Sequence, residues 1–216
     1  RSEWHMTPQT VNAYYDPTTN EICFPAGILQ APFFDPAADD AANYGAIGVV
    51  IGHEMTHGFD DQGSQFDKDG NLRNWWTPQD KANFKARTQR MIRFFDGIEV
   101  LPGLHCNGAL TCGENIADHG GLKVAYQAFR NATSSRPLAD FGGFTPDQRF
   151  FISYGQIWAN NIRPEALRNQ VKTDPHAPAR WRVNGALPQI EAWYKAFGIK
   201  KGDKLFVPKN KRVDIW

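Results

Sequence analysis

Residues 44–57 constrain this chain more than any other stretch. An apolar run, Tyr44-Gly45-Ala46-Ile47-Gly48-Val49-Val50-Ile51-Gly52, leads directly into His53-Glu54-Met55-Thr56-His57. The run suits a helix buried on most sides, in spite of the propensity cost of its glycines. In such a helix, residues four apart lie one turn above each other, so both imidazoles leave the same face and can share one metal ion. Glu54 sits beside that face. Two histidines and a carboxylate inside so hydrophobic a segment would carry a large desolvation cost, which a bound cation relieves. Gly58 and the turn-like Phe59-Asp60-Asp61-Gln62-Gly63 predict that the helix stops soon after His57.

A catalytic zinc takes three protein ligands and keeps one position open, so the histidine pair needs a partner. The long motif with a third histidine six residues on is excluded, because Asp60 and Gly63 stand where it needs glycine and histidine. A glutamate some twenty residues downstream is also missing; that region holds Trp75 and Trp76. The next carboxylates lie in Gly113-Glu114-Asn115-Ile116-Ala117-Asp118, where Glu114 and Asp118 share a face at the start of a helix. One could ligate while the other orients a histidine. Acidic residues also favour helix N-termini for their own sake, and spacing alone leaves both readings open.

With 216 residues, 41% of them hydrophobic, the chain can bury the core of one domain. Lys and Arg number 24 against 23 Asp and Glu, a balance that gives no reason to expect nucleic acid or an anionic membrane as partner. No apolar run reaches the ~20 residues of a membrane span, and residues 1–6 are unlike a signal peptide, so the chain is expected to begin inside a mature protein. Cys23, Cys106 and Cys112 form no structural zinc spacing; Cys106 and Cys112 are close enough in sequence either to bridge or to stay as packed thiols.

Val11 to Tyr15 and Glu21 to Phe24, separated by Asp16-Pro17-Thr18-Thr19-Asn20, read as a hairpin. Thr77-Pro78-Gln79-Asp80 caps a helix reaching about Phe95, and further helices are expected over 115–131, 146–161 and 188–197. Without repeats or a Ser/Gly-rich linker, the pattern is one helix-rich α+β domain.

These segments together resemble the neprilysin family of zinc endopeptidases. The matching stretches are Asn12-Ala13-Tyr14-Tyr15, Pro25-Ala26-Gly27-Ile28-Leu29-Gln30, residues 51–61, Gly113 to Asp118, and Asp174-Pro175-His176-Ala177-Pro178 followed by Arg182. The resemblance implies a thermolysin-like zincin fold, predominantly helical with a small β-sheet, forming a single metallopeptidase domain over 1–216. It implies one Zn2+ per chain on His53, His57 and Glu114, with Glu54 as the catalytic carboxylate. Asp118 and Asp60 would orient the ligand histidines, His176 would donate to the oxyanion, and Arg182 would bind a substrate carbonyl. Asn12 and Ala13 would hold the substrate backbone. Ile28, Phe33, Val49, Val50, Ile157 and Trp158 would line the pocket for the residue after the scissile bond, giving cleavage of oligopeptides before bulky hydrophobic residues.

Family members are far longer, and this chain is similar to roughly their last third. The resemblance therefore implies a helical cap, supplied by an N-terminal partner fragment of the same precursor, and an extracytoplasmic location, periplasmic or secreted. The ending Arg212-Val213-Asp214-Ile215-Trp216 lacks the cysteine motif of animal members and points to a bacterial oligopeptidase. The competing reading is a catalytically inactive peptide- or metal-binding fragment, against which the intact Glu54 counts; an aminopeptidase would need an acidic cluster for a free amine, and none is evident.

Overall fold

A computed structural model describes residues 3–215. Its first element is a hairpin of β1 (Tyr14–Asp16) and β2 (Glu21–Cys23), antiparallel in the register Tyr14 to Cys23, Tyr15 to Ile22 and Asp16 to Glu21. The turn between them is fixed by the Asp16 carboxylate, which accepts from the backbone N–H and hydroxyl of Thr18. Pairing starts later than the pattern of residues 11–15 predicts. Continuing the register would set Asn12 opposite Pro25, which has no N–H to give, so residues 11–13 run on unpaired.

The ligand helix starts earlier than its apolar run. Asp39 caps α1 (Asp40–Asn43) by accepting from Ala42 N at 2.9 Å, and a π-helical turn over Tyr44–Gly48 passes directly into α2 (Val49–His57). α3 (Pro78–Asp96) starts at a Thr77 cap with Pro78 in its first turn, as the sequence predicts. A short hairpin, β3 (Glu99–Leu101) with β4 (Leu104–His105), leads to α4 (Cys112–Thr133), which begins three residues before the expected position.

α5 (Pro146–Ile157) opens on a complete capping box between Thr145 and Gln148 and ends at Ile157 rather than 161. The chain must leave the helix there to reach Pro164, the first residue of α6 (Pro164–Thr173). Neither α6 nor α7 (Ala179–Ala186) is among the helices expected from the sequence; α6 buries only Val171, with Leu167 half-buried one turn before it. The expected helix over 188–197 divides into a 3-10 turn, Leu187–Gln189, and α8 (Glu191–Phe197), with Ile190 extended between them.

α4 organises the interior. On one side Leu122, Ala125 and Phe129 join Val49 of α2, Phe150, Phe151 and Tyr154 of α5, and Trp193 of α8. On the other, Cys112 and Ile116 pack with Met91 and Phe95 of α3 and with Val213 and Ile215 of the carboxyl-terminal tail. Cys106 and Cys112 are buried free thiols, pushed up by burial to about 11 and about 12, which keeps them protonated and inert. Every α4 residue from Asn115 to Leu122 is buried, so the helix has no freedom to rotate and its polar groups are held in fixed directions.

Candidate metal centre and substrate cleft

The third face of α4 lies against α2, and glycines set the separation. A Cβ on Gly52 would come within 2.9 Å of the Gly121 carbonyl oxygen; one on Gly121 would lie 2.7 Å from both His53 N and Val49 O. The two backbones therefore touch without side chains between them. The glycines that cost helix propensity give back a close crossing, and that crossing brings Glu114 and Asp118 to the histidine pair.

His53 Nε2 and His57 Nε2 face each other at 2.9 Å. Glu114 completes the group, with Oε2 at 3.2 Å from His53 Nε2 and Oε1 at 3.6 Å from His57 Nε2. Both Nδ1 atoms are engaged elsewhere. That of His53 is 2.8 Å from Asp118 Oδ1, and that of His57 is 2.7 Å from Asp60 Oδ2. Asp60 is itself fixed through its other oxygen, which accepts from Gln62 N at 2.8 Å and Gly63 N at 2.7 Å. Because a carboxylate can only accept, each Nδ1 carries a proton, and in the neutral rings two bare Nε2 lone pairs converge beside an anion. Glu114 Oε2 is buried and accepts no well-directed hydrogen bond. Such a set repels itself unless a cation stands between its members. The donor atoms of His53, His57 and Glu114 all lie within 4.8 Å of one another, and two imidazoles plus a carboxylate with one open side suit a divalent ion such as zinc.

The charges around the centre agree with this. Burial opposes ionisation of His53, Glu114 and Asp118 alike, but their mutual contacts prevail. His53 is raised to about 9 by Asp118 and Glu114, and Glu114 is lowered to about 2 chiefly by the His53 ring beside it, with His57 and Arg182 adding to the effect. Asp118 is held well below the usual carboxylate range by Arg182 and His53. The pocket thus demands positive charge at His53, as a proton or as a metal that displaces it. Glu54 behaves differently: burial pushes its carboxyl up, against the pull of both histidines.

Arg182, on α7, binds Asp118 with two bonds, Nε to Oδ2 at 2.8 Å and Nη2 to Oδ1 at 2.7 Å. Its guanidinium also lies 3.9 Å from the centre of the Trp158 ring, and its carbonyl accepts from Tyr154 Oη at 3.0 Å. His176 Nε2 approaches Glu114 Oε2 at 3.3 Å, while Asp174 takes its Nδ1 at 2.7 Å and its backbone N–H at 2.8 Å. These groups open on one cleft of about 730 Å³. Asn12, Ala13, Ile28, Phe33, Val49, Val50, Ile157 and Trp158 line it too, so every site residue expected from the sequence faces this space or, as with Asp60 and Asp118, its metal-binding wall. Asp174 and the stacking of Trp158 on Arg182 are additions. Asp174 could have been noticed as an Asx turn two residues ahead of His176, whereas nothing local links positions 158 and 182.

The model of peptidase family M13 matches residues 12–213. The chain belongs to that family. As an M13 member it is 45% identical over 219 residues to endothelin-converting enzyme 1 of Rattus norvegicus, covering all of this chain and 28% of the relative. It is 46% identical to an endothelin-converting enzyme homolog of Locusta migratoria, covering 30% of that protein. Among solved structures, Mycobacterium tuberculosis zinc metalloprotease Zmp1 in complex with inhibitor superposes on the whole chain at a TM-score of 0.97 and 48% identity, over 34% of its own length. PepO from Lactobacillus rhamnosis matches 99% of the chain at a TM-score of 0.89 and 41% identity, over 32% of its length. The M13 chain described here thus spans 28% to 34% of the length of these relatives.

Proposed function

We propose that this protein is a zinc-dependent endopeptidase that hydrolyses oligopeptides on the amino side of bulky hydrophobic residues. One observation carries the reading: two imidazole nitrogens and Glu114 converge at the wall of a largely apolar cleft of about 730 Å³, which Glu54 also lines. Zinc held by His53, His57 and Glu114 would polarise a peptide carbonyl and make water acidic near neutral pH. Glu54 then takes the proton of the attacking water and returns it to the leaving amine nitrogen; its burial-raised carboxyl suits both transfers. Asp174 takes the Nδ1–H of His176 and leaves Nε2 toward the cleft, where the doubly protonated ring would donate to the growing oxyanion beside the Arg182 charge. The unpaired backbone of Asn12 and Ala13 offers main-chain bonds to an extended substrate. Ile28, Phe33, Val49, Val50, Ile157 and Trp158 form the apolar pocket for the residue after the scissile bond.

The same proposal places an N-terminal cap from a longer precursor over the domain. Ile51 and Met55, one turn apart on the outer side of α2, and Phe59, in the turn just beyond its end, are 38%, 52% and 50% exposed, an apolar patch such a piece would cover. It also places the enzyme outside the cytoplasm; no helix among the described residues is long and apolar enough to cross a membrane. Glu54→Gln tests the chemistry. The variant should keep its zinc and lose about 10²–10⁴-fold in kcat; turnover within a few-fold of the parent removes the carboxylate from the mechanism. A peptide series varying only the residue after the scissile bond tests specificity, and a preference for acidic residues there contradicts the pocket assignment.

A further inference from the structure

Arg182 is buried, and its head group is held in two different ways. In the plane of the guanidinium, Nε and Nη2 donate to the two oxygens of Asp118. Against its face lies the Trp158 ring, with Cζ 3.9 Å from the ring centre. Nη1, which points away from Asp118 in this side-on pairing, has no partner among the described residues, and Arg182 lines the cleft. It is the nitrogen left to donate to a substrate carbonyl. In-plane bonds resist sliding of the guanidinium along the carboxylate, but they resist rocking about the line through its two oxygens only weakly, because hydrogen bonds tolerate small angular changes. Nη1 lies farthest from that line and sweeps the widest arc. A flat ring against the face blocks the rocking, and its negative quadrupole holds the cation in place.

Trp158 directly follows the last turn of α5 and is half-buried. Four residues before it, Tyr154 donates its hydroxyl to the Arg182 carbonyl at 3.0 Å, so one end of α5 fixes Arg182 at both its backbone and its head group. The indole Nε1 is buried and makes no well-directed hydrogen bond, a cost that a phenylalanine would avoid. What the residue contributes here is its face, and tryptophan offers a cation the strongest one. We propose that Trp158, besides lining the pocket, is a positioning residue whose ring locks the plane of the Arg182 guanidinium and so aims Nη1 at the substrate carbonyl. A reacting group misplaced by ~1 Å can cost on the order of 10²-fold in rate, so the lock matters to turnover. The inference rests on the endopeptidase reading above, and deepens it by giving Trp158 a part in turnover that does not depend on which side chain fills the pocket.

Fluorination of the indole tests this, because each fluorine weakens the negative face of the ring with little change in its shape. Mono-, di- and trifluorotryptophan, placed at position 158 alone by nonsense suppression in the zinc-loaded protein, should lower log kcat stepwise. The substrate is an oligopeptide with glycine after the scissile bond, which leaves the pocket empty, so KM should hardly move. Trp158→Leu, apolar but without a flat face, should lose about 3–30-fold in kcat, and Trp158→Phe should lose less. A kcat indifferent to fluorine, an effect confined to KM or to peptides with a bulky residue after the scissile bond, or a Leu variant as fast as the parent overturns the proposal. Stacking is read without turnover. In protein labelled with ¹⁵N-arginine, a guanidinium N–H resonance shifted upfield by the indole should move downfield in Trp158→Leu, and the absence of such a resonance also overturns the proposal. A protein that shows the shift but cleaves no peptide refutes the endopeptidase reading and the positioning role with it, whereas an active enzyme indifferent to the fluorines refutes only the positioning role.

Discussion

Gly121→Ala places one methyl group at the crossing of α2 and α4. Its Cβ would stand 2.7 Å from the backbone nitrogen of His53 and the carbonyl oxygen of Val49. That is about 0.7 Å short of an ordinary van der Waals approach, and both obstructing atoms belong to a helix that cannot swing away like a side chain. The two helices must therefore separate by some tenths of an ångström, more than the roughly 0.2 Å tolerance of a metal–ligand distance. His53 moves with α2, while Glu114 and Asp118 stay with α4. Overpacking of this kind costs about 1–3 kcal/mol in stability, and misplacing ligands and their orienting carboxylates costs about 10–100-fold in metal affinity. Denaturant unfolding of the metal-free protein measures the first, and competition with a chromogenic zinc chelator measures the second. Gly155→Ala on α5 is the control, since its Cβ meets nothing nearer than Val183 Cγ1 at 4.0 Å and should leave zinc affinity unchanged. Parent-like zinc affinity in Gly121→Ala would refute the claim that backbone contact positions the ligands.

Other consequences follow from buried charge. Asp118→Ala strips Arg182, 7% exposed, of both carboxylate bonds, and should lower stability by about 3–5 kcal/mol in urea unfolding; a loss under 1 kcal/mol means that Arg182 finds another anion. His119 is 1% exposed with both ring nitrogens unpartnered, and burial, reinforced by Lys123 and opposed by Asp214, lowers it to about 4. Since the unfolded histidine titrates near 6.5, the unfolded chain binds the extra proton between those values, so stability is full above about pH 6.5 and falls toward pH 4 by about 3 kcal/mol. His119→Leu should flatten that part of the stability–pH curve in metal-free protein, and an unaltered slope assigns the acid sensitivity elsewhere. Chelation of zinc from the parent should abolish hydrolysis while the helical circular dichroism persists; collapse of the fold would make the ion structural.

What could be read from the sequence was local in origin. The spacing of His53 and His57, the Thr77-Pro78 cap and the Thr145 to Gln148 box depend on residues within one or two turns, and the helices form where those signals stand. Glu114 was undecidable from spacing because its approach to His53 depends on Gly52 and Gly121, residues that register in a sequence only as poor helix formers. Asn12 and Ala13 lay outside the strand expected of them because Pro25, thirteen residues on from Asn12, ends the pairing. Arg182 needed both Asp118 and Trp158 in place before its orientation was defined, and these come from three different helices or their ends. α6 is amphipathic but short, and its apolar stripe is limited to Leu167 and Val171, one turn apart, which is too few turns of repeat to mark a helix beforehand.

Anomalous diffraction at the zinc edge, on crystals of the protein and of Glu114→Ala grown with equal metal, bears most directly on the metal centre. A single peak in the parent, about 2.0–2.1 Å from both Nε2 atoms of His53 and His57 and in bonding contact with the Glu114 carboxylate, with its occupancy sharply reduced in the variant, is the expected result. A strong peak at any other cluster, or one whose occupancy ignores the loss of Glu114, would contradict it.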